Sequence, residues 1–246
     1  MRVRRLFICM FMISQMLMCA SGAVAQEAGS KTIDGLYSDD RVGIYPGKYI
    51  GQMKDGKPHG KGMVVSVRRD VFEGTFVNGK GEGVFIIKYM DGNRYEGDIR
   101  NGLADGKGRF FFANGDKYEG EYKNGKRNGY GIYYYANGDK YEGKYKDSLR
   151  NGKGKYTFSD GTYYEGDYFK DKKHGKGFRV YENGGKYVGE YKDGVSFGLG
   201  TYYNPDGSYY QGEFANDRPH GYGRLFDKDG KLIAKGVWEN GVYKGK

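Results

Sequence analysis

The sequence predicts an all-β protein: an elongated, twisted antiparallel β-ribbon, a solenoid of tandem β-hairpins repeating every 23 residues. Three observations predict it. An aromatic residue recurs at that interval, at Tyr49, Phe72, Tyr95, Tyr118, Tyr141, Tyr164, Tyr187 and Tyr210. Glycine follows each of them two positions later, from Gly51 to Gly212, and again eleven positions later, from Gly60 to Gly221. The composition is skewed to match. There are 45 Gly and 26 Tyr against 4 Pro, and Leu, Ile and Val are too sparse to fill an ordinary two-layer core.

The chain opens on a segment with another purpose. Arg2, Arg4 and Arg5 precede an apolar run from Leu6 to Met18, and Ala23-Val24-Ala25 then forms a small-residue cleavage signature. The run is shorter than the about 20 apolar residues a membrane span needs. Residues 1–25 are therefore expected to be a signal peptide cut between Ala25 and Gln26, with the product in the periplasm or outside the cell and open to envelope association. An uncleaved anchor and lipidation at Cys19 are the alternatives, although bulky Met18 precedes that cysteine. Cleavage removes Cys9 and Cys19, the only two cysteines, so no disulfide or thiol chemistry remains. Loss of the three arginines lowers the formal charge from +10 to +7. That surplus is spread among many acids, and nucleic acid is not an expected partner. Residues 26–48 do not fit the repeat and read as a linker, with a capping strand expected near Tyr45.

Residues 118–140 give the unit most clearly. Tyr118, Gly120 and Tyr122 alternate with Glu119, Glu121 and Lys123, the period of two that a strand with distinct faces requires. Asn124-Gly125 starts a turn expected to end near Gly129. Gly131, Tyr133 and Tyr135 form a second alternating strand, and Asn137-Gly138 turns the chain into the next copy. The expected pairing sets aromatics opposite glycines, Tyr122 with Gly131 and Gly120 with Tyr133, and Tyr118 opposite Tyr135. Across the next turn Tyr135 would face Tyr141, Tyr133 would face Gly143, and Gly131 would face Tyr145. Such glycines are retained despite a cost of about 0.5–1 kcal/mol relative to Ala, because a neighbouring ring lies across each one. The repeat core then comprises Tyr95, Gly97, Tyr118, Gly120, Tyr122, Gly129 and Gly131. It continues through Tyr141, Gly143, Tyr145, Tyr164, Gly166, Tyr168, Tyr187, Gly189 and Tyr191. The opposite face carries Glu119, Glu142, Asp167 and Glu190 among Lys123, Lys146 and Lys192, a mixed charge ladder that needs no ligand.

The pattern Y-x-G-x-Y-x-x-G-x-x-x-G-x-G stands intact from Tyr118 through Gly125, Gly129 and Gly131, and it resembles the MORN (membrane occupation and recognition nexus) repeat. The resemblance spans roughly residues 49–241. It implies an elongated, groove-bearing ribbon serving as a scaffold, dimerisation or membrane-associated module. Residues 49–246 then hold eight copies and a truncated ninth that begins at Ala234 and is capped by Trp238. The second copy departs from the pattern with a shortened first turn and with Phe85 in a glycine position. Ser148, Asp171 and Asp217 replace the turn glycine elsewhere.

No catalytic residue, metal ligand or cofactor site emerges. His59, His174 and His220 share one repeat position in distant copies. At about 4.8 Å per strand the first two would be on the order of 50 Å apart, whereas ligands of one metal must converge to about 2 Å. Gly194-Val195-Ser196-Phe197-Gly198 matches a nucleophile elbow, but it falls in a hairpin with no helix behind it. The many G-x-G pairs lack a phosphate-loop context. The acids recur in equivalent rows, without the unique pair that glycoside hydrolysis requires. The function expected is noncatalytic: binding a protein partner, or self-association, through strand edges or an aromatic face at Tyr133, Tyr135, Tyr156 and Phe158. Anionic lipid and cell-wall glycan are the alternatives, the latter because Tyr133-Tyr134-Tyr135 and Tyr202-Tyr203 resemble sugar-stacking platforms.

Overall fold

The computed structural model describes residues 28–33, by their backbone alone, and residues 42–246. The expected cleavage site at Ala25 and Gln26, and Cys19, lie outside the described residues. Among the described residues the chain forms one antiparallel sheet of 20 strands and no helix. The strands are β1 (Ala28–Ile33), β2 (Gly47–Lys54), β3 (Lys57–Ser66), β4 (Val71–Val77), β5 (Lys80–Gly81), β6 (Gly83–Lys88), β7 (Arg94–Arg100), β8 (Leu103–Phe111), β9 (Lys117–Lys123) and β10 (Lys126–Tyr134). They continue as β11 (Lys140–Lys146), β12 (Leu149–Thr157), β13 (Tyr163–Phe169), β14 (Lys172–Val180), β15 (Lys186–Lys192), β16 (Val195–Tyr203), β17 (Tyr209–Ala215), β18 (Arg218–Phe226), β19 (Leu232–Glu239) and β20 (Val242–Gly245). The sheet is a meander in which each strand pairs with the next, except that β4 pairs with both the short β5 and β6. The strand before the first copy is Ala28–Ile33, which sets Lys31 opposite Tyr49, and not a strand near Tyr45.

The register differs from the expected one by two residues. Gly120 lies opposite Gly131 and Tyr118 opposite Tyr133. On the other side Gly131 faces Gly143, Tyr133 faces Tyr141, and Gly129 faces Tyr145. A shift of two keeps every side chain on its face, so the shared core face holds while the aromatic-opposite-glycine pairing does not. The cause is the first turn. Asn124 and Gly125, at φ of 50° and 80°, close a two-residue turn of the primed type that matches strand twist. Pairing resumes at once, Lys123 with Lys126 and Tyr122 with Arg127, and a bulge then intervenes before Gly131. The expected loop to Gly129 is thus strand and bulge.

The glycines still make room for rings, along the strand instead of directly across it. A Cβ on Gly131 would stand 2.3 Å from the Tyr118 hydroxyl oxygen, and one on Gly120 would stand 2.4 Å from it. Tyr118 therefore lies over both glycines, and its hydroxyl donates to the Glu121 carbonyl at 3.1 Å. That carbonyl belongs to the residue facing the bulge. The same bond recurs from Tyr49, Tyr95, Tyr141, Tyr164, Tyr187 and Tyr210. Phe72 has no hydroxyl. In that copy the Glu82 amide donates to the Thr75 carbonyl at 2.9 Å, and the Phe85 ring covers Gly74. The acid beside the bulge has a task as well. The Glu121 carboxylate accepts the Tyr130 amide at 3.3 Å, and a Cβ on Gly129 would meet it at 2.4 Å. The row read as solvated charge is in part bulge-capping.

Buried rings run the length of the sheet in edge-to-face contact. Tyr118 touches Tyr122 and Tyr145, and Tyr141 touches Tyr145 and Tyr168. Tyr164 and Tyr187 continue the zigzag through Tyr191 to Phe214. Trp238, 5.1 Å from Tyr210, closes it. Each copy is held mainly by its neighbours, as in other linear arrays.

Candidate binding face

Beside the buried zigzag runs a second, half-buried aromatic strip. Ring contacts link Tyr89, Phe110, Phe112, Tyr133, Tyr135, Tyr156 and Phe158 in sequence. After Phe158 a cation interrupts the rings: the Arg179 guanidinium lies 5.3 Å from the Phe158 ring centre and 4.7 Å from that of Tyr181. Tyr181 then contacts Tyr202. The four residues expected to form a binding face, Tyr133, Tyr135, Tyr156 and Phe158, are together in this strip.

A row of side chains just past the first turn borders it. In copies two and three the position holds Gly81 and Ala104, in the next three Arg127, Arg150 and Lys173, and then Ser196. Arg127 lies over Tyr118, Tyr133 and Tyr145 and donates to the Ser148 carbonyl at 2.9 Å. Arg150 lies over Tyr141, Tyr156 and Tyr168, donates to the Asp171 carbonyl at 2.8 Å and pairs with its carboxylate at 3.1 Å.

The small residues at 81 and 104 leave a shelf, and the chain itself fills it. Val42–Tyr45 runs back along the ribbon from copy four to copy two. Its Val42 amide donates to Gly125 and its Ile44 amide to Gly102, each at 2.8 Å, while the Ala104 amide donates to Val42 at 2.9 Å. Ile44 is buried against Gly81, and Tyr45 meets Phe72 edge-on. The carbonyls that receive this segment, at Gly102 and Gly125, are equivalent to those at Ser148 and Asp171 that receive the two arginines.

The profile of the MORN repeat matches residues 49–67, 72–88, 95–117, 118–140, 141–163, 164–186, 187–209 and 210–231. The chain belongs to the MORN repeat family. No curated protein is a sequence match. Among solved structures, the chain is similar to the SAS-4 (dCPAP) TCP domain of Drosophila melanogaster in complex with a proline-rich motif of Ana2, at 16% identity, TM-score 0.40 and coverage of 70% of this chain and 87% of that one. It is also similar to the TCP10 domain of Danio rerio CPAP, at 15% identity, TM-score 0.37 and coverage of 78% and 96%. Likeness at this level bears on neither ligand nor mechanism. A MORN array is a repeat scaffold, an architecture for interaction.

The other sequence motifs sit as MORN structure. Ser196 is buried in β16, and its amide donates to Asp217 at 2.7 Å. His59, His174 and His220 occupy equivalent places in β3, β14 and β18, and among the described residues no group of three or more His, Cys, Asp or Glu is gathered as a metal site. The loops between MORN copies are tied by acids. The Tyr156 hydroxyl donates to Asp139 at 2.6 Å and the Ser159 amide at 2.9 Å, so the Tyr156 bond, chiefly, holds the Asp139 carboxyl below its usual range. A carboxyl depressed on folding stabilises the fold above its unfolded pKa, and that share is lost as pH falls through the folded value. Asp139→Asn is therefore expected to flatten the fall in stability below about pH 4, measured by urea unfolding at a series of pH values.

The cation row and Arg179 do not stand out from the aromatic and glycine spacing alone. The signal lay in the period itself. Read in frame, the aromatic position goes Phe110, Tyr133, Tyr156, Arg179, Tyr202, and the shelf position changes from small to cationic and back.

Proposed function

We propose that this protein is a noncatalytic MORN scaffold of the cell envelope whose aromatic face binds an extended segment of a partner protein. One observation carries the reading: residues 42–45 lie on that face as an extended segment, bound through turn carbonyls and the Ala104 amide, with an isoleucine in a pocket over glycine. From copy four onward the face continues, with the half-buried strip from Tyr133 to Tyr202 still open to a ligand. Aromatic rings give large contact area at low entropic cost, and main-chain bonds add affinity for an extended chain. The signal-like residues 1–25 support export, and the family supports a scaffold.

Fluorescence anisotropy with a labelled library of extended peptides tests this. Binding in the roughly micromolar range is expected. Tyr135→Ser and Tyr156→Ser should each weaken it about tenfold, with unchanged circular dichroism. Binding that ignores both substitutions contradicts the reading, as does retention on envelope glycan or anionic vesicles with no peptide bound.

A further inference from the structure

Copy six breaks the pattern of its neighbours at two positions, one in the strip and one in the cation row. In copies four and five the strip tyrosine donates to a loop acid, Tyr133 to Asp116 at 2.7 Å and Tyr156 to Asp139 at 2.6 Å. Copy six has Arg179, and the loop before it Thr162, at those two positions. The Arg179 Nε is buried and has no hydrogen-bond partner among the described residues. In the cation row, Arg150 finds the Asp171 carboxylate one copy further on, but Lys173 finds Gly194 at the equivalent position. Lys173 instead has its ammonium 5.4 Å from the ring centres of both Tyr164 and Tyr191. The Gly194 carbonyl, next in the series after those at Ser148 and Asp171, accepts no hydrogen bond among the described residues. The Tyr191 hydroxyl, beside Tyr181, is also buried without a hydrogen bond of ordinary geometry. A cleft of about 460 Å³ opens beside Arg179, bounded by Phe158, Thr162, Arg179 and Tyr181, with Asp160, Glu182 and Asn183 also lining it. Lys173 does not line it, and its charge acts on Arg179 from beside it. Asp160 is already engaged by the Thr162 amide and hydroxyl.

We infer that copy six is an anion subsite, in which Arg179 seats a carboxylate of the bound segment, the nearby Lys173 adds its positive charge, and Phe158 and Tyr181 hold the apolar stem. The inference rests on the peptide-binding reading and names the chemistry that reading lacks. Arg179 lacks the acid that Tyr133 and Tyr156 reach, and Lys173 lacks the acid that Arg150 reaches. The unpaired buried N–H of Arg179 is stabilised by an anion that supplies charge-assisted bonds. The partner therefore presents an acidic side chain, or a C-terminal carboxylate, at this point of the strip.

Burial lowers the Lys173 pKa to about 8, with Arg179 and Arg150 adding to the shift and Asp217 opposing it. Tyr164 and Tyr191 are the remaining groups stacked on it. Carboxylate affinity should accordingly fall as pH rises from 7 to 9.

Two probes separate this inference from its foundation. The first is phenylacetate, with phenylacetamide as its neutral counterpart, titrated into the 15N-labelled chain and followed by NMR. Phenylacetate is expected to shift amides around Lys173 and Arg179, and phenylacetamide is not. Arg179→Tyr combined with Thr162→Asp restores the pair found in copies four and five, and should weaken phenylacetate binding about tenfold. Gly194→Asp supplies Lys173 with the missing acid and should do the same. The fold accepts a side chain there, since Ser148, Asp171 and Asp217 hold that turn position at φ of 68°, 67° and 63°. Equal shifts by both probes, or binding unmoved by either variant, overturns the subsite. The second probe is a pair of peptides built on the sequence of residues 42–45, with the third residue changed to glutamate or to glutamine, the C-terminus free or amidated. Preference for glutamate with an amidated end assigns a side-chain carboxylate, and preference for the free end assigns a terminus. Peptides that bind without an acidic preference refute the subsite and leave the peptide reading standing. Phenylacetate binding without any peptide binding does the reverse.

Discussion

Replacing Tyr141 by alanine is expected to lower the unfolding free energy by about 4 kcal/mol, within the range of about 3–5 for deleting a buried aromatic ring. The ring is fully buried and meets Tyr145 and Tyr168 edge-on, contacts worth about 0.5–1.5 kcal/mol each beyond burial. Its hydroxyl also satisfies the Lys144 carbonyl at 3.1 Å, left outside the ladder by the bulge. Tyr141→Phe keeps the ring and orphans that carbonyl, so a smaller cost of about 1–2 kcal/mol is expected. The second copy explains why phenylalanine cannot be neutral here. Phe72 is tolerated because the Glu82 amide takes the equivalent carbonyl of Thr75, and copy five has no such donor. Because each copy leans on its neighbours, Tyr141→Ala should also split the urea transition, with copies on either side unfolding separately. A single transition displaced by less than about 1 kcal/mol would show that the rings do not form a continuous core.

Gly154→Ala tests the same contact from the other side, and here the sign of the effect decides. On strand propensity alone, alanine in place of an interior glycine should stabilise by about 0.5–1 kcal/mol. The structure predicts the opposite. A Cβ at this position would lie 2.3 Å from the Tyr141 hydroxyl oxygen and 2.6 Å from Cζ. The ring would have to leave its place over the sheet and give up the Lys144 bond. Overpacking of this kind costs about 1–3 kcal/mol, and the lost hydrogen bond raises the expected total to about 3 kcal/mol. Thermal and urea unfolding of the variant measure it directly. Stabilisation would mean that the ring does not lie across Gly154.

These two residues also mark how far the sequence could be read. The period, the strand alternation and the shared core face follow from the spacing of Tyr141, Gly143 and Tyr145, because a side-chain period of two leaves only one face for all three. The pairing did not follow. Asn124-Gly125 and Gly129 bracket residues that read naturally as one loop, whereas the first pair alone makes the turn and the second glycine accommodates the Glu121 carboxylate. A bulge is invisible to periodicity, because it changes how many residues oppose one another without disturbing the glycine spacing. The candidate face was legible in part. Tyr133, Tyr135, Tyr156 and Phe158 stand out in the sequence as an aromatic cluster, whereas Arg127, Arg150 and Lys173 fall where the sequence reads as one loop and Arg179 is a lone cation in an aromatic position. The role of Val42–Tyr45 could not be anticipated at all. It depends on Gly81 and Ala104 being small at positions whose direction is set only by the bulge.

The departures from the repeat carry the functional information, and the regular positions carry the fold. Gly81 and Ala104 admit the chain's own segment, Arg127 and Arg150 close the next two places with side chains, and Lys173 with Arg179 leaves the sixth unpaired. The measurement that bears most directly on the account is NMR mapping of a bound extended peptide on the 15N-labelled chain. Shifts are expected to concentrate along the strip from Tyr133 to Tyr202 and at the turn of Gly194. Shifts confined to the edge strands β1 and β20, or to the charged face around Glu119 and Glu142, would contradict it.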